Sequence, residues 1–426
     1  MTAEAEKPAR ADYMGDGPLD RSVAPTVPFV ELVALVAAVF ALNALAIDMM
    51  LPALGIIGRE LGAANDNDRQ LIVSVYLLGN GVAQLFFGPL VDRFGRRRVL
   101  LWALAGYVAG SVLSIVASSF TLLLAARAFQ GVATAATRVA IVAVVRDQMS
   151  GRRMAEAMSI AITIFMAAPI LAPGFGQMLL FAAPWRGIFV ALLLYGLVIS
   201  LWVGWRLPET LTPENRKALN PRTIAASYLE FLRHRSAMGY TIVSALVFGA
   251  LFGYIGASEQ IFVETFDLGA LFPLAFATVA AALACANILN ARVVGRLGMR
   301  RLCHGALLIF VVANIIHLAI VAAVGESLTL FLLFTSISFF CLGLIGPNCG
   351  ALAMEPMGHI AGAAAAVNGF AGTTLAGFLG AVIGRFYDGT TQPIIMGFAV
   401  LGCAALATAL WTEKGRLFET RSPASK

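Results

Sequence analysis

The stretch that decides the fold is Asp92-Arg-Phe-Gly-Arg-Arg-Arg98, a basic loop between two long apolar runs. A second loop, Gly295-Arg-Leu-Gly-Met-Arg-Arg301, lies 203 residues further on and shares the order Arg-x-Gly-x-Arg-Arg. This offset is close to half of the 426 residues, so the repeat predicts two related halves. The alternative is that two basic loops arose independently, because cytoplasmic loops of membrane proteins retain Lys and Arg.

The composition around these loops is that of a membrane protein. Hydrophobic residues make up 59% of the chain and charged residues only 13%, with a mean hydropathy of +0.84. Soluble domains are about 45–50% apolar and about 25% charged. These values exclude a soluble multidomain enzyme, and the net charge of +6 does not indicate a nucleic-acid partner.

Twelve apolar runs reach, or nearly reach, the roughly 20 residues that a helix needs to cross the hydrocarbon core of a bilayer. The fold class predicted is an all-α membrane protein with twelve transmembrane helices in two pseudo-symmetric six-helix halves. The alternating pattern of membrane β-strands is absent. The predicted spans are residues 30–52, 70–90, 99–118, 121–145, 155–181, 186–206, 237–260, 271–294, 303–324, 328–350, 361–384 and 393–411.

The polar segments divide the chain into five predicted regions. These are a disordered cytoplasmic N-terminus (1–29), an N-terminal six-helix half (30–206), a central cytoplasmic loop (207–236), a C-terminal half (237–411) and a cytoplasmic tail (412–426). With the N-terminus inside, cytoplasmic segments hold 24 Lys and Arg residues and outer segments hold four. This bias predicts that both termini are cytoplasmic. The five cysteines show no CxxC pair and predict no metal site.

Few charged residues fall inside the spans, and each is a functional candidate because burying a charge in a bilayer is costly. Asp48 lies in the run Leu45-Ala-Ile-Asp-Met-Met-Leu51 and is a candidate proton carrier; the alternative is a hydrated residue at a helix end. Arg127 is expected either to pair with Asp48 or to form a structural cluster of hydrogen bonds.

Two further charges have open interpretations. Arg138 lies about three helical turns after Arg127 and either lines the same polar stripe or extends toward the cytoplasm. Glu259 lies at the outer end of its span and is either a solvated rim residue or a coupling acid. Amides inside spans most often form hydrogen bonds between helices, and some are expected to contact a ligand.

The loop between the second and third spans resembles the signature loop of the major facilitator superfamily. The match is carried by Gly88, Asp92, Arg93, Gly95, Arg96 and Arg97. The resemblance implies a transporter whose two halves rock about a central site, with ion pairs at the loop that switch between states.

Three other motifs resemble those of drug:proton antiporters. Arg127, Gln130 and Gly131 resemble the fourth-span motif, in which the arginine is implicated in proton coupling. The fifth span resembles the antiporter motif at Pro169, Pro173, Gly174 and Gly176, although Ala172 and Gln177 replace its flanking glycines. Asp48-Met-Met-Leu-Pro52 is similar to the first span of Bcr/CflA-type bicyclomycin and chloramphenicol exporters.

These resemblances imply proton-coupled multidrug efflux, and hence antibiotic resistance, at a bacterial inner membrane. Protons, the lipid bilayer and a small drug-like substrate are the expected partners of a monomer, with no cofactor, no nucleic acid and no enzymatic activity. Ser258-Glu-Gln260 departs from the Ser-Pro-Phe usual in the family, and this additional acid leaves open a preference for polyamine-like cations. The alternative function is a metabolite or nutrient porter of the same fold that runs as a symporter, against which the fifth-span motif argues. The expected proton-coupling residues are Asp48 and Arg127, and the expected substrate-binding residues are Asn43, Asp48, Tyr76, Asn80, Gln84, Arg127, Gln130 and Glu259.

Overall fold

The computed structural model describes residues 27–149, 151–216 and 219–419. Within these residues the regular structure is entirely helical. Of the predicted N-terminal segment 1–29 and tail 412–426, residues 1–26 and 420–426 lie outside the described residues.

Six crossings form the first half of the chain. Each is 20 to 32 residues long, and at a rise of about 1.5 Å per residue this length spans the hydrocarbon core. The first crossing continues through a short helix, α2 (Leu54–Glu60), that is bent away at Pro52. The long helices are α1 (Phe29–Asp48), α3 (Leu71–Phe94), α4 (Arg96–Ile115), α5 (Phe120–Gln148), α6 (Gly151–Ala182) and α7 (Arg186–Arg206).

The second half repeats this arrangement with six more crossings. The run Leu328–Arg385 contains 58 residues, enough for two crossings, and its helical geometry breaks at Met357. Twelve crossings are therefore present in the described residues, as the sequence predicted. The helices are α9 (Arg235–Glu259), α10 (Phe272–Leu297), α11 (Met299–Val324), α12 (Leu328–Met354), the pair α13 (Ala361–Phe370) and α14 (Ala376–Arg385), and α15 (Gln392–Thr412).

A helix that the sequence analysis did not predict lies in the central loop. Helix α8 (Pro221–Arg233) starts at Asn220, whose side chain accepts hydrogen bonds from the backbone N–H groups of Arg222 and Thr223. Its apolar side contacts both halves of the molecule. Tyr228 donates a hydrogen bond to the Leu85 carbonyl at 2.5 Å, and Phe231 is buried in a cluster with Met357, Ala364 and Val367.

The two halves contact each other mainly along two pairs of helices. Helix α3 packs against α13 and α14, and α6 packs against α10. Within the halves, α3 and α4 pack on α5, while α14 and α15 pack on α9. Among the described residues, α1 and α5 form no comparable packing with the helices of the second half, and we call the region between them and that half the space between the halves.

The repeated Arg-x-Gly-x-Arg-Arg loops adopt the same turn. Gly95 and Gly298 have φ values of 104° and 82°, which side chains with a Cβ rarely adopt, and each ends one helix and starts the next. Gly88, Asp92 and Arg93 lie in the last two turns of α3, just before the first of these glycines. We call the side of the molecule that carries both loops the basic end.

In the first half, Arg96 ties three helices together at the basic end. It is 6% exposed and forms ion pairs with Asp92 at 3.2 Å and with Asp147, at the end of α5, at 2.8 Å. Glu209, after α7, accepts a hydrogen bond from the Arg96 backbone N–H at 2.8 Å, which places a negative charge at the start of α4. Arg97 donates to the Gly204 carbonyl at 2.6 Å.

In the second half, Arg300 has the corresponding role, because Met299 stands where the first half has Arg96. Arg300 forms ion pairs with Glu413, after α15, at 3.1 Å and with Glu355, after α12, at 3.3 Å. Each half therefore has an arginine near the start of its third crossing that contacts one acid at or just after the end of its fourth crossing and another after its sixth crossing. This agreement in three dimensions supports a duplicated origin of the two loops.

We expect Arg96→Gln and Arg300→Gln each to destabilise the protein by about 2–3 kcal/mol, because each removes charge-assisted hydrogen bonds between a largely buried guanidinium and two carboxylates. Arg98→Gln serves as the control, since the Arg98 side chain is exposed. The apparent melting temperature of the purified protein in detergent, followed by tryptophan fluorescence, measures the difference. Equal melting temperatures for Arg96→Gln and Arg98→Gln would contradict the assigned contacts.

Candidate functional site

The centre of the first half holds a fully buried guanidinium, that of Arg127 on α5. It donates hydrogen bonds to the Ala46 carbonyl of α1 at 2.7 Å and to the Ile72 carbonyl of α3 at 3.4 Å. A third donor goes to the Gln130 side chain. The guanidinium carbon lies 4.4 Å from the centre of the Tyr76 ring.

These contacts explain how a positive charge is tolerated in the bilayer. Carbonyl oxygens satisfy the donors, and the face of a desolvated aromatic ring attracts a cation with about 2 kcal/mol. Because the acceptors belong to α1 and α3, Arg127 fastens three crossings at one depth. Gln130 extends the contacts to α4 by donating to the Ser111 hydroxyl at 2.8 Å.

Asp48 lies close to this cluster without pairing with it. It is the last residue of α1, it is 4% exposed, and its Oδ1 atom has no hydrogen-bond partner among the described residues. Of the two arrangements expected for Arg127, the structure shows the cluster of hydrogen bonds and not the ion pair with Asp48, because backbone carbonyls fill the acceptor positions around the guanidinium. A buried carboxyl group that lacks a cationic partner is the arrangement in which taking up a proton relieves a large desolvation cost.

The fifth-span motif packs against the chain segment that follows Asp48. Pro169, Pro173, Gly174 and Gly176 all lie within α6. At Gly176 a Cβ would collide with the carbonyl oxygen of Met49 and contact Pro52, so only glycine allows this approach. At Gly174, by contrast, an added Cβ would meet no other atom within 4 Å. The motif therefore places α6 directly against the residue next to Asp48.

A chain of polar side chains leads from the Arg127 cluster toward the second half. Tyr76 donates to the Asn43 side chain at 2.5 Å, and Asn80 donates to Thr134 at 3.2 Å. Gln84 donates to Asn80 at 3.0 Å and to Thr373, in the second half, at 3.2 Å. Asn43 and Gln84 are partly exposed, whereas the Tyr76, Asn80 and Gln130 side chains are buried.

Glu259 lies away from this cluster, at the end of the molecule opposite the basic end. It forms an ion pair with Arg69 at 3.3 Å, and Arg69 also pairs with Glu264. Arg69 and Glu259 are 4% and 6% exposed. The pair joins the start of α3 to the end of α9 and thereby links the two halves.

Amide side chains reinforce this junction. Gln70 donates to Gln260 and, at 3.1 Å, to the Gly384 carbonyl, while Gln260 donates to Asn67 at 2.7 Å. We call Asn67, Arg69, Gln70, Glu259, Gln260 and Glu264 the Arg69 gate. From the sequence alone, Arg69 is one of the four basic residues counted in the outer segments. The signal that could have identified the gate is the polar run around Arg69 at the same end as Glu259 and Gln260.

Part of α6 near the basic end has exposed side chains that point in several directions. On α6, the consecutive residues Ile162, Thr163 and Ile164 are all exposed, and so are Ser159 and Ile160. Consecutive residues point about 100° apart around a helix, so this part of α6 faces open space on more than its lipid side. The Arg69 gate therefore joins the halves through buried contacts at one end, whereas α6 carries exposed side chains toward the opposite end.

Comparisons with known proteins agree with this architecture. The family model of the Major Facilitator Superfamily matches residues 36–381. The chain is 29% identical over 370 residues to an uncharacterized MFS-type transporter, YdgK, of Bacillus subtilis, covering 85% of this chain and 91% of the relative. It is 27% identical over 372 residues to a bicyclomycin resistance protein homolog of Haemophilus influenzae, covering 85% and 90%.

Two further comparisons concern a shorter match and the fold alone. The chain is 29% identical over 218 residues to the multidrug resistance protein MdtL of Escherichia coli, covering 51% of this chain and 54% of the relative. The structure of the xylose transporter XylE from E. coli superposes with a TM-score of 0.71 at 12% identity, covering 91% of this chain and 99% of that one. The chain belongs to the Major Facilitator Superfamily and is a multi-pass membrane transporter.

We expect Arg69→Gln to open the Arg69 gate, because it removes the cation that holds two carboxylates. A loss of about 1.4 kcal/mol changes the ratio of open to closed molecules about tenfold. Spin labels at Asp66→Cys and Asp267→Cys, in a background without the five native cysteines, measure the separation of the halves by double electron–electron resonance.

Arg385→Gln is the matched control, since the Arg385 side chain is exposed at the same end of the molecule. The Arg69 variant should gain a population at longer distance, and the control should keep the short one. If the distance distribution of the Arg69 variant stays unchanged, the gate does not hold the halves together.

Proposed function

We propose that this chain exports small amphipathic compounds, including antibiotics, from the bacterial cytoplasm in exchange for protons. The observation that carries the proposal is a buried carboxyl, Asp48, with an unsatisfied oxygen beside a buried arginine in a transporter fold. Similarity to relatives named for bicyclomycin and multidrug resistance supports the class of substrate.

The orientation in the membrane is part of the proposal. Because Lys and Arg are retained on the cytoplasmic side, the basic end would face the cytoplasm and both termini would lie there. The open space would then accept compounds from the cytoplasm, while the Arg69 gate would close the outer side. The membrane would be the bacterial inner membrane, as expected from the bacterial relatives.

The proposed cycle needs only the proton gradient, with no cofactor and no enzymatic step. A proton from outside would bind Asp48 while the outer side is open, and protonation would remove the cost of a buried charge. Substrate entry from the cytoplasm would favour release of that proton inward. A potential of 100 mV supplies about 2.3 kcal/mol for each charge moved, beyond any pH gradient.

Arg127 would act in this cycle by passing a conformational change at the end of α1 on to the neighbouring helices. Its bond to the Ala46 carbonyl lies two residues from Asp48, so a local change at the end of α1 would be felt by α3 and α5. The substrate would contact the partly exposed Asn43 and Gln84 side chains. One chain carries both halves, which supports a working monomer.

The pairing of Glu259 with Arg69 bears on the alternative of polyamine-like cation export. That alternative rested on an additional free acid facing the substrate. In the closed gate this acid is already bound to an arginine, which favours a gate role over a cation site.

Expression in an efflux-deficient bacterial host should raise the minimal inhibitory concentration of bicyclomycin or chloramphenicol at least fourfold. Expressing cells should retain less drug than empty-vector cells. A proton uncoupler should abolish this difference, because the proton gradient is the energy source. Radiolabelled drug retained by the cells is the measurement. Proton-stimulated accumulation in the expressing cells would instead indicate a symporter.

Asp48→Asn should abolish proton-driven export in proteoliposomes while leaving the fold intact, because asparagine has a similar shape but cannot carry the proton. Asp66→Asn, at an exposed loop position, is the control. The transport rate is measured with an imposed pH gradient. Full proton-linked export by Asp48→Asn would show that another group carries the proton.

A further inference from the structure

Arg138 lies on the same side of α5 as Arg127, eleven residues further toward the basic end. At about 100° per residue this spacing is close to three full turns, or about 16 Å along the helix. Thr134, between them on this side, accepts a hydrogen bond from Asn80 of α3 at 3.2 Å. Arg138 therefore points toward the interior of the transporter and not toward lipid.

The Arg138 side chain is nevertheless exposed, unlike the fully buried Arg127. An exposed side chain on an inward side of a crossing helix must face the open space between the halves. Ten residues separate Arg138 from Gln148 at the end of α5, which places its Cα about 15 Å inside the basic end. A cation at this depth must be hydrated or paired with a ligand.

The Arg138 guanidinium lies near aromatic rings, and no acidic side chain pairs with it among the described residues. Its guanidinium carbon lies 5.9 Å from the centre of the Phe40 ring of α1. Phe40 in turn contacts Phe165 of α6 edge to face, with ring centres 6.1 Å apart. In the part of the chain that the structure describes, Arg138 forms no hydrogen bond or ion pair, whereas the donors of Arg127 are directed at backbone carbonyls.

We propose that Arg138 is a substrate-binding residue that selects amphipathic compounds with an anionic group. The guanidinium presents a planar fork of N–H donors that matches the two oxygens of a carboxylate. Phe165, which is partly exposed, provides apolar contact for the ring system of the same compound, and the buried Phe40 packs edge to face against it. The inference rests on the proposed export function and assigns, within its substrate class, tighter binding to those compounds that carry a carboxylate or a similar anion.

The test uses nalidixic acid, an aromatic carboxylate, and its uncharged carboxamide, which differ only at the group that Arg138 would bind. Isothermal titration calorimetry measures both affinities for the purified full chain without a proton gradient. The wild-type protein should bind the acid at least tenfold more tightly than the carboxamide. Arg138→Gln should weaken binding of the acid at least tenfold and that of the carboxamide less than twofold.

Two further variants complete the design. Arg138→Lys keeps the charge but loses the fork, so it should weaken binding of the acid by an intermediate factor. Arg222→Gln, at an exposed position in the first turn of α8, should change neither affinity.

Three results would overturn the inference: no preference for the acid in the wild type, no binding of either compound, or equal loss of both in Arg138→Gln. Retained binding of the carboxamide shows that the variant is folded. Binding is measured without a proton gradient. The calorimetric result therefore tests the role of Arg138 even if the chain fails to export drugs in the transport assays.

Discussion

The structure depends on one constraint, that a guanidinium in the middle of a bilayer must find acceptors for its donors. Arg127 meets this constraint with the carbonyls of Ala46 and Ile72, the side chain of Gln130 and the face of Tyr76. These partners come from α1, α3 and α5, so the charge itself sets how the three crossings are placed. The same arrangement leaves the Asp48 carboxyl group buried beside the cluster, with no ion pair to any described residue.

Other polar contacts differ from this cluster in being able to break. The Arg69 gate and the salt bridges of Arg96 and Arg300 lie at the two ends of the molecule, where water can replace a lost partner. An alternating-access transporter needs a binding site that stays in place while the contacts at its two ends form and break in turn. The small side chain at Gly176 allows α6 to lie against the backbone beside Asp48, which connects the fixed centre to a helix that borders the open space.

The sequence predicts the twelve crossings well because each is a run of apolar residues longer than the hydrocarbon core. It also identifies the repeated loops, since their glycines and arginines have clear geometric roles. It does not predict the partner of Arg127, because backbone carbonyls carry no sequence signal and the rotation of a helix is set by packing. For the same reason the pairing of Glu259 with Arg69 across the halves was not foreseen. The sequence does not predict helix α8, because its apolar residues are few. Three of them, Ile224, Tyr228 and Phe231, nevertheless follow helical spacing.

The central claim is that binding of a substrate and binding of a proton at Asp48 exclude each other. Addition of bicyclomycin to the purified protein in weakly buffered detergent solution, with a pH-sensitive dye, tests this claim most directly. The account predicts that the wild-type protein releases protons in proportion to the bound drug and that Asp48→Asn binds the drug without releasing any. Equal proton release by both proteins, or drug binding by the wild type without proton release, would contradict it.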